Sequence, residues 1–376
     1  MVHIITGLDQ GGAEATLYRL IMACGTPAYH SVISLTDEGV YGDRLRMLGV
    51  KVESLNMPRG SLSISSLFRL FCLLRSWHPS VVQTWMYHAD LMGGVIAKMA
   101  GVRKVVWNVR HSNLDPCCNN RGLLKVAKLC AFFSSWVPDH IVCCSEEARR
   151  VHMAIGYKKD IIVIIPNGYN LSVFLHDENA GKSLREELGV SDKLLVGMVA
   201  RWDPQKDHAN LFAAMSKVWN TRKDVQLLCV GSEMTEKNEN LLRIMRNAGG
   251  DGKTLLVGPR DDIPRVMNAL DLHVLSSVGE AFPNCVAEAM ACGTPCVVTD
   301  VGDAKLIVGD TGWISPPGNP EAFAEKILEA LTDLECTDKA TRARRCRIRI
   351  EENFSLLRMV AAYEQLWESM LPKREC

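Results

Sequence analysis

The chain has 376 residues, of which 47% are hydrophobic and 23% charged, a composition typical of a globular enzyme with about two domains. Its 43 basic and 43 acidic residues balance, so the overall charge does not indicate nucleic acid as a partner. Residues 1–165 nevertheless carry 18 basic and 12 acidic residues, which fits either an anionic surface or substrate or a scatter of surface charges.

The start of the chain and its cysteines indicate a cytoplasmic protein. MVHIITGLDQGGAE lacks the basic segment and long apolar stretch of a secretory signal, and no run of about 18 uncharged apolar residues predicts a transmembrane helix. The 14 cysteines show no metal-ligand spacing, even at the adjacent pairs Cys117–Cys118 and Cys143–Cys144. We therefore expect reduced thiols.

Short β-branched runs alternate with helical patterns along the whole chain. The first set of predicted strands is VHII, SVISLT, VKVESL, VVQT, KVVWNV, HIVCCS and IIVIIPNG. The second set is LLVGMVAR, VQLLCVG, TLLVG, LDLHVLSS and PCVVTD. The last stretch, FSLLRMVAAYEQLWESML, predicts a long amphipathic helix with no strand after it. This repetition predicts an α/β protein with mostly parallel sheets covered by helices.

The two sets of strands predict two Rossmann-like domains, at residues 1–166 and 167–354, followed by the helix at 355–376. In open α/β sheets, ligands bind outside the carboxyl ends of the strands. Two such domains facing each other across a cleft would hold a nucleotide on one side and an acceptor on the other.

The loop TGLDQGGAE at 6–14 follows the first strand and opens a helix. Gly11 and Gly12 would let a ligand approach the backbone and leave N–H groups at the helix start, which suits a phosphate. The loop is neither GxGxxG nor a Walker A sequence. A tight turn from strand to helix is an equally good interpretation.

The stretch ARWDPQKDH at 200–208 places two cations after a buried strand. Arg201 and Lys206 would suit a diphosphate, one as a fork and one as a point charge. The alternative is a pair of solvated charges, but the position at a strand end favours function.

The stretch GEAFPNCVAEAMACGTPCVV at 279–298 predicts a short helix that begins near Pro283 and Asn284 and ends before Gly293. Glu280 precedes the helix and Glu288 lies within or just after its first turn. Because carboxylates repel phosphate but accept well from hydroxyls, they suit a sugar on one side and a ribose on the other. Simple capping of the helix dipole is the alternative.

These motifs resemble those of the retaining glycosyltransferases of family 4, also called group 1, which have the GT-B fold. The resemblance covers nearly the whole chain, and five stretches occur in the family's order. They are GGAE at 11–14, PNGYNLSVF at 166–174, Arg201 with Lys206, GPRDDIP at 258–264, and EAFPNCVAEAMACGTPCVVTD at 280–300 with the family's E-x7-E signature.

The resemblance implies roles for individual residues. Glu280 would bind the hydroxyls of the donor sugar, and Glu288 the ribose of the nucleotide. Arg201 and Lys206 would neutralise the diphosphate. Further donor contacts are implied for the backbone of Phe282, Pro283, Asn284 and Cys285, for Gly11 and Gly12, and for Arg260 near the base. The final helix would cross back to the first domain.

Two histidines and an arginine lie where two strands of the first domain end. Arg110 and His111 follow the strand KVVWNV, and the resemblance implies that His111 reaches the donor sugar near the reacting centre. A satisfied histidine in a polar loop is the alternative. His88 in WMYHAD, together with Arg110, is a weaker candidate for contacts with the acceptor.

The charges predict transfer without a metal or other cofactor. Arg201, Lys206 and helix N–H groups could stabilise a departing diphosphate, and the sequence contains no DxD motif. No second carboxylate is placed as a nucleophile, which fits the family's proposed front-face route, in which the leaving phosphate helps to deprotonate the acceptor.

Two helices of the basic domain combine apolar and basic residues. RGSLSISSLFRLFCLLRSW carries Arg59, Arg69 and Arg75, and RGLLKVAKLCAFFSSW is equally basic. Such helices suit peripheral docking at the inner face of an anionic cell membrane, where many family members use lipid-linked sugars. Ordinary packing of helices on a sheet is at least as good an interpretation.

We therefore expect a transferase that moves a hexose or N-acetylhexosamine from a nucleotide sugar, by family frequency a UDP-sugar, to a glycan or lipid-linked saccharide. Intermediates of lipopolysaccharide, capsule or O-antigen are plausible acceptors. A sugar-nucleotide hydrolase or epimerase of the same fold and a non-catalytic sugar-nucleotide binding module are the alternatives.

Overall fold

The computed structural model describes residues 1–9, 11–58, 63–114 and 120–371. Gln10 of the first glycine loop, Arg59 and the pair Cys117–Cys118 lie outside these described residues. The chain divides into two compact units, which we describe separately. Unit 1 comprises residues 1–168 and 356–376, and unit 2 comprises residues 169–355.

Unit 1 contains a seven-stranded parallel sheet in the order β3-β2-β1-β4-β5-β6-β7. Its strands are β1 Val2–Ile5, β2 Ser31–Ser34, β3 Lys51–Ser54, β4 Val81–Trp85, β5 Lys104–Val109, β6 His140–Cys143 and β7 Ile162–Ile164. Its helices are α1 Gly12–Ala23, α2 Gly39–Met47, α3 Ile64–Trp77, α4 Gly94–Met99, α5 Arg121–Phe133, α6 Glu146–Ala154 and α15 Leu356–Met370.

The sheet of unit 1 has a hydrophobic core on each face. Helices α3 to α6 cover one face, and α1, α2 and α15 cover the other. The sequence explains the position of α15, because its apolar stripe includes Tyr363 and Trp367, which are both buried. The indole N–H of Trp367 donates to Gln83 at 2.7 Å, which ties this last helix to β4.

The helical segment in HADLMGGVIAKMAG begins with a π-helical turn at Ala89–Gly93 and continues as α4. Met86 just before it has a left-handed backbone, with φ of 73°. Glycines bring this segment close to the sheet, because a β-carbon on Gly93 would lie 2.9 Å from the side chain of Ile4. The local strain and the π turn fall at the end of β4, where parallel sheets place their sites.

Unit 2 contains a six-stranded parallel sheet in the order β10-β9-β8-β11-β12-β13. Its strands are β8 Leu194–Val199, β9 Val225–Val230, β10 Thr254–Leu256, β11 Leu272–Leu275, β12 Cys296–Thr299 and β13 Trp313–Ser315. Its helices are α7 Glu178–Leu188, α8 His208–Thr221, α9 Glu239–Asn247, α10 Ile263–Ala269, α11 Asn284–Ala291, α12 Ala304–Val308, α13 Pro320–Cys336 and α14 Lys339–Phe354.

Arg347 on α14 holds the segment after Tyr169 against the end of α11. Its guanidinium donates to the carbonyl oxygens of Leu171, Phe174 and Ala291 at 2.8, 2.7 and 2.6 Å. A methionine at this position would leave three carbonyl groups without their charged donor.

We expect Arg347→Met to lower the free energy of unfolding by about 3 kcal/mol, since charge-assisted hydrogen bonds are stronger than neutral ones. Urea unfolding followed by circular dichroism measures the change. Arg344→Met is the matched control, because Arg344 lies on the same helix with its side chain exposed. Equal stability of the two variants would contradict the prediction.

Candidate functional site

The chain order of the unit 2 sheet reverses between β8 and β11, which pair side by side. Ligands bind at such a switch point, outside the carboxyl ends of the two strands. The loop after β8 carries Arg201 and Lys206, and the loop after β11 carries Glu280. The sequence therefore brings two of its predicted motifs to one edge of one sheet.

Helix α11 begins at Asn284, directly after Pro283, and it ends before Gly293, whose φ is 87°. The hydroxyl of Tyr169 donates to Oδ1 of Asn284 at 2.5 Å, and its ring stacks on Phe282 with centroids 6.5 Å apart. The motif PNGYNLSVF thus supplies the side chain that orients the first residue of the helix.

Lys206 and Glu280 form an ion pair inside unit 2. Their side chains are only 16% and 12% exposed, so water screens the pair weakly. Burial acts to lower the pKa of Lys206, but the carboxylate of Glu280 outweighs this effect, and the net pKa lies above the ordinary value. The pair is therefore a fixed charge centre beside the start of α11.

Two consecutive serines after β11 hold this charge centre in place. The Ser276 hydroxyl reaches the carbonyl oxygens of Lys206 and Asp207 at 2.8 and 3.1 Å. The Ser277 hydroxyl donates to Oε1 of Glu280 at 2.8 Å, the same oxygen that Lys206 contacts. The sequence motifs did not assign these two serines to the site. Their position directly after the buried strand β11 could have indicated it, because ligands bind outside the carboxyl ends of such strands.

Cys285 and Glu288 lie on α11 behind the charge centre. Burial raises the pKa of the Cys285 thiol to about 12, the charge of Lys206 opposes this rise, and the carboxylates of Glu280 and Glu288 add to it. These electrostatic couplings place the two glutamates of the signature near one thiol. We infer that Cys285 stays a neutral thiol at physiological pH.

Gly302, which follows β12, packs closely against the backbone of the loop that carries Glu280. Its φ is 55°, and a β-carbon there would collide with the carbonyl group of Glu280 and lie 2.7 Å from the carbonyl oxygen of Ala281. Only glycine fits both the left-handed backbone and this close approach. A glycine directly after a buried strand could have indicated the contact.

We expect Gly302→Ala to reduce any activity that depends on Glu280 by at least about tenfold, because small displacements of a positioned group are costly. Gly318→Ala is the control, since its φ is 63° but nothing lies within 4 Å of the added carbon. Measuring turnover and melting temperature for both separates backbone strain from displacement of the loop. An active Gly302→Ala protein would show that the loop tolerates the shift.

Arg201 and Arg260 are each paired with a nearby carboxylate. Arg201 donates to Asp203 at 2.8 Å, and its side chain is 66% exposed. Arg260 lies after β10 and forms two bonds of 2.7 Å with Asp262, with Glu187 as a further partner. Lys206 and Arg260 are thus largely shielded, with side chains 16% and 20% exposed, while Arg201 lies at the surface of the same strand end as Lys206.

In unit 1, Gly11 caps α1 and Gly12 is its first residue. Glu14 folds back over this start, because a β-carbon on Gly11 would lie 2.9 Å from the Glu14 carboxyl carbon. Burial raises the pKa of Glu14, against hydrogen bonds from the backbone of Glu14 and Ala13. The helix start predicted for phosphate thus holds a carboxylate of its own chain.

His111 packs edge-on against Tyr87, with ring centroids 6.4 Å apart. The Tyr87 hydroxyl lies 2.7 Å from Nε2 of His152, whose Nδ1 lies 2.6 Å from the carbonyl oxygen of Ala148. Because Nδ1 must donate to that carbonyl, Nε2 accepts from the tyrosine. Buried hydrogen bonds from Tyr87 through His152 to Ala148 therefore fix the tyrosine ring against which His111 packs.

Arg110 is held by three contacts within unit 1. It donates to Oδ1 of Asn167 and, at 2.8 Å, to the hydroxyl of Tyr363, and it lies over the Trp85 ring. These contacts hold the end of β5 against α15. His88 lies at the start of the π turn, and burial lowers the pKa of its imidazole.

Among the described residues, no group of three His, Cys, Asp or Glu side chains is arranged to hold a metal ion. Within the same ranges, no helix has the length and apolar character needed to cross a membrane.

Two family models match the chain. Residues 10–173 match the model described as Glycosyltransferase Family 4, and residues 193–333 match the model described as Glycosyl transferases group 1. The first match ends at residue 173 and the second begins at residue 193, and the second contains both glutamates of the signature.

Curated relatives match most of the chain at low identity. A UDP-Gal:alpha-D-GlcNAc-diphosphoundecaprenol alpha-1,3-galactosyltransferase of Escherichia coli is 24% identical, over 82% of this chain and 80% of its own. The capsular polysaccharide biosynthesis glycosyltransferase CapM of Staphylococcus aureus is 23% identical over 83% and 82%.

The fold is also that of solved structures. Anabaena Alr3699/HepE in complex with UDP-glucose superposes with a TM-score of 0.84 at 21% identity, covering 98% of this chain and 99% of that one. At this identity the likeness establishes the fold alone. The predicted α/β fold with two Rossmann-like domains is confirmed as GT-B.

Proposed function

Because this chain belongs to the group 1 glycosyltransferases of family 4, we propose that it is a retaining enzyme that moves a hexose or N-acetylhexosamine from a nucleotide sugar to a saccharide acceptor. The observation that carries the proposal is the Lys206–Glu280 pair beside the start of α11. It puts a buried cation next to a carboxylate, as a sugar diphosphate requires.

We propose a UDP-sugar as the donor. In support, similar folds are recorded with UDP and with UDP-glucose, and the relative from Escherichia coli is described as using UDP-Gal. Glu280 would accept from hydroxyls of the sugar and Glu288 from the ribose, because carboxylates are acceptors only. Lys206 would bind the diphosphate, with Arg201 swinging from Asp203 to join it.

The proposed reaction breaks the bond between the sugar C1 and the diphosphate oxygen. A bond from C1 to the acceptor oxygen forms on the same face, and the acceptor proton passes to the departing phosphate. Lys206, Arg201 and the N–H groups of α11 stabilise the charge that develops, without a metal ion. Full activity after dialysis against EDTA would support this, and loss of activity restored by Mg²⁺ would overturn it.

Thermal stabilisation by a panel of nucleotide sugars tests the donor assignment. We expect one UDP-sugar to raise the melting temperature of the native chain and to leave Glu280→Ala unchanged. Glu239→Ala, an exposed glutamate on α9, is the control and should respond as the native chain does. Absence of stabilisation by every nucleotide sugar would count against a donor site.

Incubation without an acceptor separates the alternatives. Release of free sugar or a changed sugar nucleotide would indicate the hydrolase or epimerase, and binding with no turnover in any mixture would indicate a non-catalytic module. A product glycoside with the same anomeric configuration as the donor, read by NMR, supports retention.

We propose a lipid-linked saccharide as the acceptor, presented at an anionic membrane surface. The relatives from Escherichia coli and Campylobacter jejuni are described with diphosphoundecaprenol acceptors. Helix α5 exposes Leu129 and Phe132, at 47% and 62%, and Trp136 follows it at 65%. Helix α3 exposes Ile64 and Phe68 at 85% and 67%.

Basic residues accompany these exposed side chains. Arg121, Lys125 and Lys128 lie on α5, Arg69 and Arg75 lie on α3, and neither helix carries an acidic residue. Aromatic and basic side chains together bind anionic bilayers. We call the exposed faces of α3 and α5 the basic face.

Flotation with phosphatidylglycerol vesicles at low salt tests the basic face. We expect the native chain to float and Phe132→Ser/Trp136→Ser to lose most of its binding, because exposed aromatic side chains insert at the interface. Tyr29→Ser is the control, since Tyr29 is 75% exposed and lies outside α3 and α5. A native chain that stays with the unbound protein would remove membrane docking.

A further inference from the structure

Unit 1 has a cavity of about 590 Å³ at the amino ends of β4 and β5, away from the strand ends that carry His88 and His111. This volume lies in the range of small-molecule sites. The ends of three helices form its walls. The lining residues are Leu74 and His78 at the end of α3, Pro79, Ser80, Ala100, Gly101, Val102, Arg103 and Lys104 in the following loops, and Met370 and Leu371 at the end of α15.

The floor of the cavity is apolar. Leu74, Ala100, Val102 and Met370 have exposed fractions of 1%, 5%, 5% and 7%, so their side chains are already part of the core. Gly101 opens the wall, because its φ is 85° and it carries no side chain. Above this floor, Leu371 is 40% exposed, and an apolar chain entering here would cover its carbon surface, which water now reaches.

The rim of the cavity is cationic. Arg103 and Lys104 line it, and Arg75 lies close to its wall, since its guanidinium is 3.6 Å from where a β-carbon of Gly101 would be. Lys104 pairs with Asp139 at 3.4 Å, whereas Arg75 and Arg103 form no ion pair with a described residue. Among the residues that the structure describes, no Asp or Glu lines the cavity.

An apolar floor under a cationic rim fits an amphiphile with an anionic head. The cavity adjoins the basic face at Arg75, which belongs to α3 and lies close to the cavity wall. The exposed Ile64 and Phe68 lie nearer the other end of the same helix. Resting on the proposed membrane docking, we propose that this cavity binds one anionic phospholipid drawn from the bilayer. Its phosphate contacts Arg103 and Arg75, and its acyl chains contact Leu371 above the apolar floor.

The test uses dihexanoyl phosphatidylglycerol below its critical micelle concentration, titrated calorimetrically into the full chain. We expect saturable binding to the native chain. In Arg103→Glu the affinity should fall at least about tenfold, because an anion replaces a cation beside the lipid phosphate. Ser80→Trp, a space-filling change at an exposed wall position, should have the same effect. Dihexanoyl phosphatidylcholine should bind more weakly.

The control is Arg44→Glu, an equal charge reversal on α2, which covers the opposite face of the sheet. Equal affinity of the native chain, Arg103→Glu and Ser80→Trp would overturn the proposal. Tighter binding by a chain that ends at Leu371 would overturn it too, by assigning the cavity to residues 372–376. Flotation tests membrane docking independently of the calorimetric titration. If the chain binds the soluble lipid but does not float with vesicles, docking is refuted and lipid binding in the cavity is still supported.

Discussion

Lys206→Met is expected to lower kcat for sugar transfer about 100- to 1000-fold, the effect of removing one preorganised group that stabilises a developing anion. Lys206 is the buried cation at the carboxyl ends of β8 and β11, and its side chain is only 16% exposed. Initial rates at saturating donor measure the change. Lys217→Met, which removes a half-exposed cation of α8, should retain full activity.

The same substitution leaves the carboxylate of Glu280 buried without its cation, which costs about 3–5 kcal/mol of stability in comparable sites. A second variant separates folding from chemistry. Lys206→Met/Glu280→Gln should regain most of the lost stability, because no charge remains uncompensated, and should stay inactive. Recovery of transfer in the double variant would show that the charges serve the fold alone.

Acidification between pH 6.5 and pH 4 is expected to destabilise the fold strongly. Burial lowers the pKa of His30, His152 and His208 to about 4 and of His273 to about 3, and it holds the pKa of His3 well below its usual value. Below pH 6.5 the unfolded chain binds protons at these sites while the folded chain does not. The free energy of unfolding therefore decreases as the pH is lowered. Each site contributes about 2–3 kcal/mol.

Two carboxyl groups act in the opposite direction. Burial raises the pKa of Asp90 well above its usual value and raises that of Glu14, so both stabilise the fold as the pH falls. They offset only part of the contribution of the five histidines. Urea midpoints at pH 7, 6 and 5 measure the balance, and a midpoint that stayed constant across this range would contradict the prediction.

His273→Leu isolates one of these histidines. The ring is fully buried on β11, and neither nitrogen has a hydrogen-bond partner among the described residues. Leucine should therefore be tolerated at pH 7, and the slope of stability against pH should fall by about one proton. An unchanged slope would show that His273 is already protonated in the fold.

The periodicity of the sequence predicted the fold class because parallel strands buried on both faces are short, continuous apolar runs. Such runs can be recognised without knowing how the side chains pack. The β-branched runs around Val196 and Val297 fall inside β8 and β12. The strand β13 was not predicted, because Trp313–Ser315 is a three-residue edge strand with no apolar run. The π turn at Ala89–Gly93 was not predicted either, because it depends on contacts with β1 and not on local sequence.

The candidate site was predictable in part for the same reason. Glu280 and Lys206 lie 74 residues apart, yet both follow strands that end at one edge, so strand order brings them together. The roles of Ser277 and Tyr169 depend on side-chain directions that no spacing encodes. The role of Gly302 could not be predicted without the backbone conformation of the loop at Glu280 and Ala281, which it contacts.

The chain passes from unit 1 to unit 2 after Gly168 and returns at Leu356, so α15 completes a core that the first residues begin. A ribosome adding residues in order therefore finishes unit 2 while unit 1 still lacks Tyr363 and Trp367. The sheet face that α15 shares with α1 and α2 is then covered only in part, which exposes apolar surface of the kind that chaperones recognise. A stop codon shortly before Leu356 would therefore leave unit 2 complete and unit 1 without part of its core.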